Sequence, residues 1–212
     1  MLLTELFFLF LLLFLYYKCD IISCGEFETF LTEPDGKKTK LKERKMKKRK
    51  QNTLYLTRGA LISALYVVLT LVASMMGLSS GVIQLRFSEA LCILPIFLPE
   101  AVPGLFVGCI ISNLISGGNV WDVIFGSLAT LIGAYGAYLL RRLPEKFMWV
   151  ATVPTILANA LIIPPVLILA YGAPDSFLFL MATVGIGEIL SAGFGGVALY
   201  YLLKNTKTPW LN

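Results

Sequence analysis

Histidine is absent from the 212 residues, and with it the commonest general base and metal ligand near neutral pH. Cysteine is sparse. Cys19, Cys24, Cys92 and Cys109 have neither zinc spacing nor the pattern of a disulfide framework, and the last two fall in apolar segments, where a thiol usually acts as a small hydrophobe. Charged residues make up only 15% of the chain. There is no GxSxG elbow, no HExxH pair, and no GxxxxGK followed by Ser or Thr, so no catalytic residue, metal site or cofactor is expected and the chain has no phosphate loop with which to hydrolyse ATP. The glycines Gly185, Gly187, Gly193, Gly195 and Gly196 read as helix-packing notches, because a dinucleotide loop requires a strand before it.

Hydrophobic residues, by contrast, make up 57% of the chain. A soluble domain of this size could not cover so much apolar surface, so the composition indicates a polytopic membrane protein. The formal charge of +5 is concentrated in one place: ten of the eighteen basic residues lie in KKTKLKERKMKKRK, residues 37–50. A basic block ahead of a long apolar segment fixes that end in the cytoplasm and attracts anionic lipid headgroups secondarily. No aromatic residues interleave with it, which argues against nucleic-acid binding.

Residues 1–45 read as an atypical extension. The apolar run 6–17 is short of the ~20 residues that a spanning helix needs, and it lacks the basic start and small-residue cleavage site of a signal peptide. Pro34-Asp35-Gly36 is a turn signal. Met46 opens MKKRKQNTLYLTRGALISALYVVLTL, which reads as a complete membrane-protein start. Residues 1–45 are then either a start-site artefact or an extra anchor, and the transmembrane domain is 46–212.

Six helices are expected: residues 56–77, 88–98, 101–115, 120–140, 148–171 and 177–203. Pro99 and Pro103 interrupt the second and third, and short broken segments at membrane depth are tolerated where they line a cavity or are buried in protein. Gly104 and Gly108 form a small-xxx-small pair. On the first helix Gly59, Ala60, Ser63 and Ala64 are small residues that let another helix approach, either from this chain or from a partner. With both termini inside, the basic ends at Arg141, Arg142, Lys146, Lys204 and Lys207 fall in the cytoplasm, and Arg86 is the only basic residue in the outer loops. The expected fold is an all-α integral membrane bundle of six transmembrane helices with N- and C-termini cytoplasmic.

The stretch 84–130 places Gln84, Arg86, Glu89, Asn113, Asn119 and Asp122 among segments apolar enough for a bilayer. Ionisable groups there cost about 2.5–3.5 kcal/mol each on insertion scales and are usually retained for function. The plainer alternative puts Arg86, Glu89 and Asp122 at solvated helix ends. Read as a site, Glu89 and Asp122 sit near the outer rim, with Glu188 and Asn159 deeper. Carboxylates and carboxamides can read the donor-rich edge of a guanine-like base, and Trp121 could stack on its face. A carboxylate would also neutralise an ammonium group. Glu188 has a structural alternative, a neutral acid hydrogen-bonded within the bundle.

QLRFSEALCILPIFLPEAVPGLFVGCIISN, followed by WDVIFGSLATL, resembles the signature region of the QueT family of queuosine-precursor transporters, substrate-binding (S) components of energy-coupling factor (ECF) transporters. The resemblance runs from about Met46 to Lys204 and has no counterpart for residues 1–45. It implies a multi-pass protein of the prokaryotic plasma membrane that captures a 7-deazaguanine precursor, or a queuine-like base, from outside. The partners implied are a transmembrane T component and two ATP-binding-cassette ATPases, with Ala60 and Ala64 meeting the T component. A toppling movement of the S component is implied as well. Two other classes stay open on the residues alone: a self-powered carrier using Glu188 as a proton relay, and a membrane scaffold subunit.

Overall fold

The computed structural model describes residues 36–78, 84–172 and 174–205, with side chains from Arg49 onward. The apolar run 6–17, Cys19, Cys24, Pro34, Asp35 and Lys207 lie outside the described residues. The chain divides into two units, Met1–Lys48 and Arg49–Asn212; the fold described below is that of the second.

Among the described residues there are helices and turns and no strand. Helix α1 is Gly36–Met75, of which Arg49–Met75 is long and apolar enough to cross a membrane. Three others meet the same criterion: α4 (Asp122–Arg142), α5 (Glu145–Tyr171) and α6 (Phe177–Asn205). Between α1 and α4 lie two shorter apolar helices, α2 (Phe87–Ile96) and α3 (Ala101–Ile115). The six expected segments are thus all helical, four of them at spanning length.

The short α2 is the centre of the bundle. It is wound as a 3-10 helix with Pro95 inside it, and Ser88, Glu89, Leu91, Cys92, Ile93, Leu94 and Pro95 are all buried. A helix covered on every side is a core helix, and α2 is wrapped by α3, α4 and α6 and tied to α1 by Thr70 Oγ1 donating to Ser88 Oγ at 2.9 Å. Runs of 3-10 helix this long are uncommon and often mark a functional or strained segment. The tighter winding rises about 2.0 Å per residue instead of 1.5 Å, so ten residues reach further than they would as an α-helix.

Small residues set the approach of the outer helices. A Cβ on Gly104 would stand 2.6 Å from the Gly59 carbonyl oxygen, and one on Gly108 2.9 Å from that of Ser63. The Gly59/Ser63 pair of α1 therefore meets the Gly104/Gly108 pair of α3 backbone to backbone, as small-xxx-small faces do in lipid. Ala60 and Ala64 are on a different side of α1 and are exposed, so the small residues of this helix divide between two faces. Helices α4 and α5 close in the same way, with Gly133 against Thr155 and Gly136 against Pro154.

Helix α5 carries Pro164 and Pro165 in its interior and stops at Gly172, whose φ of 63° is the left-handed conformation that glycine adopts without strain. Both α4 and α6 contain a π-helical stretch, at Asp122–Gly126 and Ile189–Gly195. Such wide turns inside α-helices frequently mark functional positions. The first begins at Asp122 and the second directly follows Glu188.

Candidate ligand site

Glu89 anchors a polar layer inside the bundle. It is 1% exposed and accepts from Tyr66 Oη at 2.5 Å, from Cys92 Sγ at 3.3 Å and from Thr130 Oγ1 at 3.4 Å. The donors come from α1, α2 and α4, so one carboxylate ties three helices together. Thr130 also reaches Cys109 Sγ on α3 at 3.4 Å, and Asn113 Nδ2 lies 3.5 Å from the same sulfur. The expectation that Glu89 sits at the outer rim is therefore corrected. Thr130 follows Asp122 by eight residues, about 12 Å along a helix, and Glu89 shares the level of Thr130. The cause is the central position of α2: with all of its faces covered, a residue in its first turn is enclosed by neighbouring helices.

Glu188 and Asn159 are on the same level from the other side. Gly133 of α4 abuts Thr155 of α5, and Asn159 follows one turn further along α5. Glu188 is within interaction range of the Asn159 side chain and of the charges of Glu89 and Arg86. Glu188 is 4% and Asn159 2% exposed, yet Glu188 Oε2 and Asn159 Nδ2 have no hydrogen-bond partner, and neither has Thr155 Oγ1. Buried polar atoms are nearly always paired, and each one left bare costs about 1–3 kcal/mol. The Asn159 amide and the Glu188 carboxyl are within reach of one another, so the two groups are able to pair with each other or with a ligand that carries a matching edge.

Gln84 and Arg86 form the approach to this layer. Both are half-buried. The Leu85 N–H donates to the Leu78 carbonyl at 3.0 Å, so the ends of the α1–α2 loop meet. The Gln84 carbonyl presses on α6 where a Cβ on Gly187 would stand 2.1 Å from it, so only glycine lets the strand-like 84–86 segment lie there. Arg86 is thereby held within electrostatic range of both acids.

The other expected residues are elsewhere. Asp122 is at the end of the bundle, where it accepts a short hydrogen bond from the Tyr171 hydroxyl. The Asn119 N–H donates to the Tyr171 oxygen at 3.1 Å, and Asn119 Nδ2 reaches the Ala170 carbonyl at 3.4 Å. Together these fasten the α3–α4 turn to the end of α5. Asn113 Nδ2 donates to the Asp122 carbonyl at 3.2 Å, linking this latch to the polar layer below. Trp121 is 53% exposed and stacks on Phe125 with ring centroids 5.9 Å apart. It lines a cavity of about 500 Å³ between α4 and α5 whose other walls are apolar: Phe125, Leu128, Ile162, Pro165, Val166, Leu169 and Ala170. The structure thus gathers Arg86, Glu89, Asn159 and Glu188, with Gln84 and Asn113 adjoining, and sets Trp121 and Asp122 apart from them.

Tyr66, Thr130 and Thr155 were not singled out by sequence reasoning. A tyrosine in mid-helix, whose hydroxyl must find a partner when buried, was the available signal for the first. Among the described residues no group of three or more Cys, Asp or Glu side chains could hold a metal ion.

Comparison with known proteins adds two findings. A family model described as "QueT transporter" matches residues 56–205. The chain is also 31% identical over 163 residues to a protein of Lactococcus lactis subsp. cremoris, "Queuosine precursor transporter QueT", covering 74% of this chain and 96% of that protein. No solved structure matches.

Proposed function

The chain belongs to the QueT transporter family, as a multi-pass protein of the cell membrane, and we propose that it is the substrate-capture subunit of an ATP-driven ECF importer for a 7-deazaguanine precursor of queuosine. The observation that carries the ligand reading is the bare pair at the heart of the bundle, Glu188 Oε2 and Asn159 Nδ2. A guanine-type base offers donors and acceptors along its edges. A ring donor satisfies the carboxylate, and a ring carbonyl satisfies the amide. Arg86 and the Gln84 carbonyl lie close to the same pair.

In this reading the chain, which carries no phosphate loop, receives the work of import from two ATP-binding-cassette ATPases acting through a T component. The docking face for the T component is the exposed stripe Leu56, Ala60, Ala64 and Val68, at four-residue spacing on α1, where small side chains admit a partner helix closely. In this reading all six helices lie in the membrane, α2 and α3 as the short buried pair, and both termini are cytoplasmic. That orientation puts the Arg58–Glu100 ion pair, at 3.1 Å, and the Lys204–Glu145 ion pair at the inner face and the Asp122–Tyr171 latch at the outer face.

Thermal-shift screening of the purified chain against deazaguanines and unrelated vitamins tests the proposal. Stabilisation by the deazaguanines alone supports it, and an equal or absent response to all compounds refutes it. One observation favours a second reading: a buried glutamate with a bare oxygen can also relay protons. Uptake driven by a pH gradient into vesicles devoid of ATPase partners would establish that reading instead.

A further inference from the structure

Helices α4 and α5 touch at two levels and part between them, on a side of the bundle that the polar layer does not use. At one level Gly133 abuts Thr155 and Gly136 abuts Pro154. At the other the Tyr171 hydroxyl bonds Asp122, and Asn119 Nδ2 reaches the Ala170 carbonyl at 3.4 Å. The apolar cavity of about 500 Å³ lies between these levels, and two of its walls, Trp121 and Ala170, immediately precede the latch residues Asp122 and Tyr171. Each helix has a local reason to part from the other. The π-helical stretch Asp122–Gly126 widens the winding of α4, and Pro164 and Pro165 interrupt the hydrogen-bond ladder of α5. The result is an eyelet, pinched at both ends.

The eyelet opens on the surface that the two spans present to the bilayer, since its walls Trp121, Leu128 and Leu169 are among their exposed large apolar residues. Apolar space of this kind stays dry, and left empty it forfeits the dispersion contacts of its lining. Its length narrows the occupant. Trp121 to Leu128 is seven residues, about 10 Å along α4, which fits within one leaflet of a hydrocarbon core ~30 Å thick. A partner helix, about 10–12 Å across with its side chains, cannot enter an opening of that length closed at both ends, whereas a flexible hydrocarbon tail can. At the latch end the eyelet meets Trp121, a residue type that favours the headgroup level, and the adjoining Asp122 carboxyl group. No basic residue is among its walls, so a head group that carries an ammonium suits this end and an anionic one does not. We propose that the α4–α5 eyelet binds one acyl chain of a zwitterionic membrane phospholipid, with the head group at the Trp121–Asp122 end.

Fluorescence quenching by lipids with brominated acyl chains reads this directly, because Trp121 is itself a wall of the site. In the full-length chain Trp149→Phe and Trp210→Phe leave Trp121 as the one emitter. A control chain with Trp121→Phe and Trp210→Phe keeps Trp149, which is exposed and does not line the eyelet. Both are purified in detergent and titrated with brominated phosphatidylcholine. The expected result is quenching of Trp121 that saturates at a few lipids per chain and is reversed by the unbrominated lipid, against a gradual, unsaturated loss for Trp149. Brominated phosphatidylglycerol should bind at least about threefold more weakly, through repulsion at the head group. Ala170→Phe, which fills the eyelet, should abolish the saturable phase while the variant elutes as a single sharp peak. Trp121 quenching that follows the same course as that of Trp149 overturns the proposal. So does the absence of Trp121 quenching, whether the eyelet stands empty or a second copy of the chain covers it. A saturable phase that survives in a well-folded Ala170→Phe chain overturns the assignment to the eyelet, and equal binding of the two lipids overturns the head-group preference. None of these outcomes bears on the ligand reading of the polar layer.

Discussion

Two buried acids lie in one layer and have different surroundings. Glu89 accepts from three side chains, so its role is to hold α1, α2 and α4 together. Its shortest bond comes from Tyr66, a residue 1% exposed, and removing that hydroxyl leaves a buried acceptor under-supplied. Tyr66→Phe is expected to cost about 1–3 kcal/mol, seen as a fall of several degrees in the melting temperature of the purified chain. An unchanged melting temperature would show the bond to be dispensable. Glu188, with a bare oxygen, should behave in the opposite way, and Glu188→Gln is expected to weaken ligand binding more than tenfold with little loss of stability. The two acids and Asn159 were legible in the sequence because polar groups are costly among apolar residues. Their partners Tyr66, Thr130 and Thr155 were not, because a hydroxyl in a helix is unremarkable until its neighbours are known.

At the scale of elements, the 84–86 segment and α6 depend on each other. A side chain at Gly187 would run into the Gln84 carbonyl, its Cβ only 2.1 Å away, and either the segment or the helix must then move. Gly187→Val is therefore expected to displace Arg86 from the two acids and reduce ligand affinity at least tenfold, which titration of the purified variant measures. Retained affinity would show that the segment is not fixed by this contact. The boundaries of α3, α5 and α6 could be read from Pro99, Pro103 and the limits of the apolar runs. The winding of α2 could not, since 3-10 and α-helix share the same residue preferences over ten residues. The enclosure of α2 by its neighbours moved Glu89 from the expected rim to the interior. Sequence position gave the segment, and only packing gave its depth.

At the scale of the whole molecule, α1 has two small-residue faces with different roles. Gly59 and Ser63 are taken up inside the bundle by Gly104 and Gly108, whereas Ala60 and Ala64 remain exposed. Spacing alone could not divide them, because four small residues within six positions are compatible with either face turning inward. Ala64→Trp is expected to leave ligand binding by the purified chain unchanged and to abolish co-purification with the T component and uptake in cells. Normal uptake by that variant would remove α1 as the docking face. The central claim, that the layer around Glu188 and Asn159 receives a deazaguanine, is tested most directly by equilibrium titration of wild type and Glu188→Gln side by side with a 7-deazaguanine precursor of queuosine. The account predicts saturable binding at micromolar or lower concentration for the wild type and a loss of at least tenfold in the variant. No binding by the wild type, or equal binding by both, would contradict it.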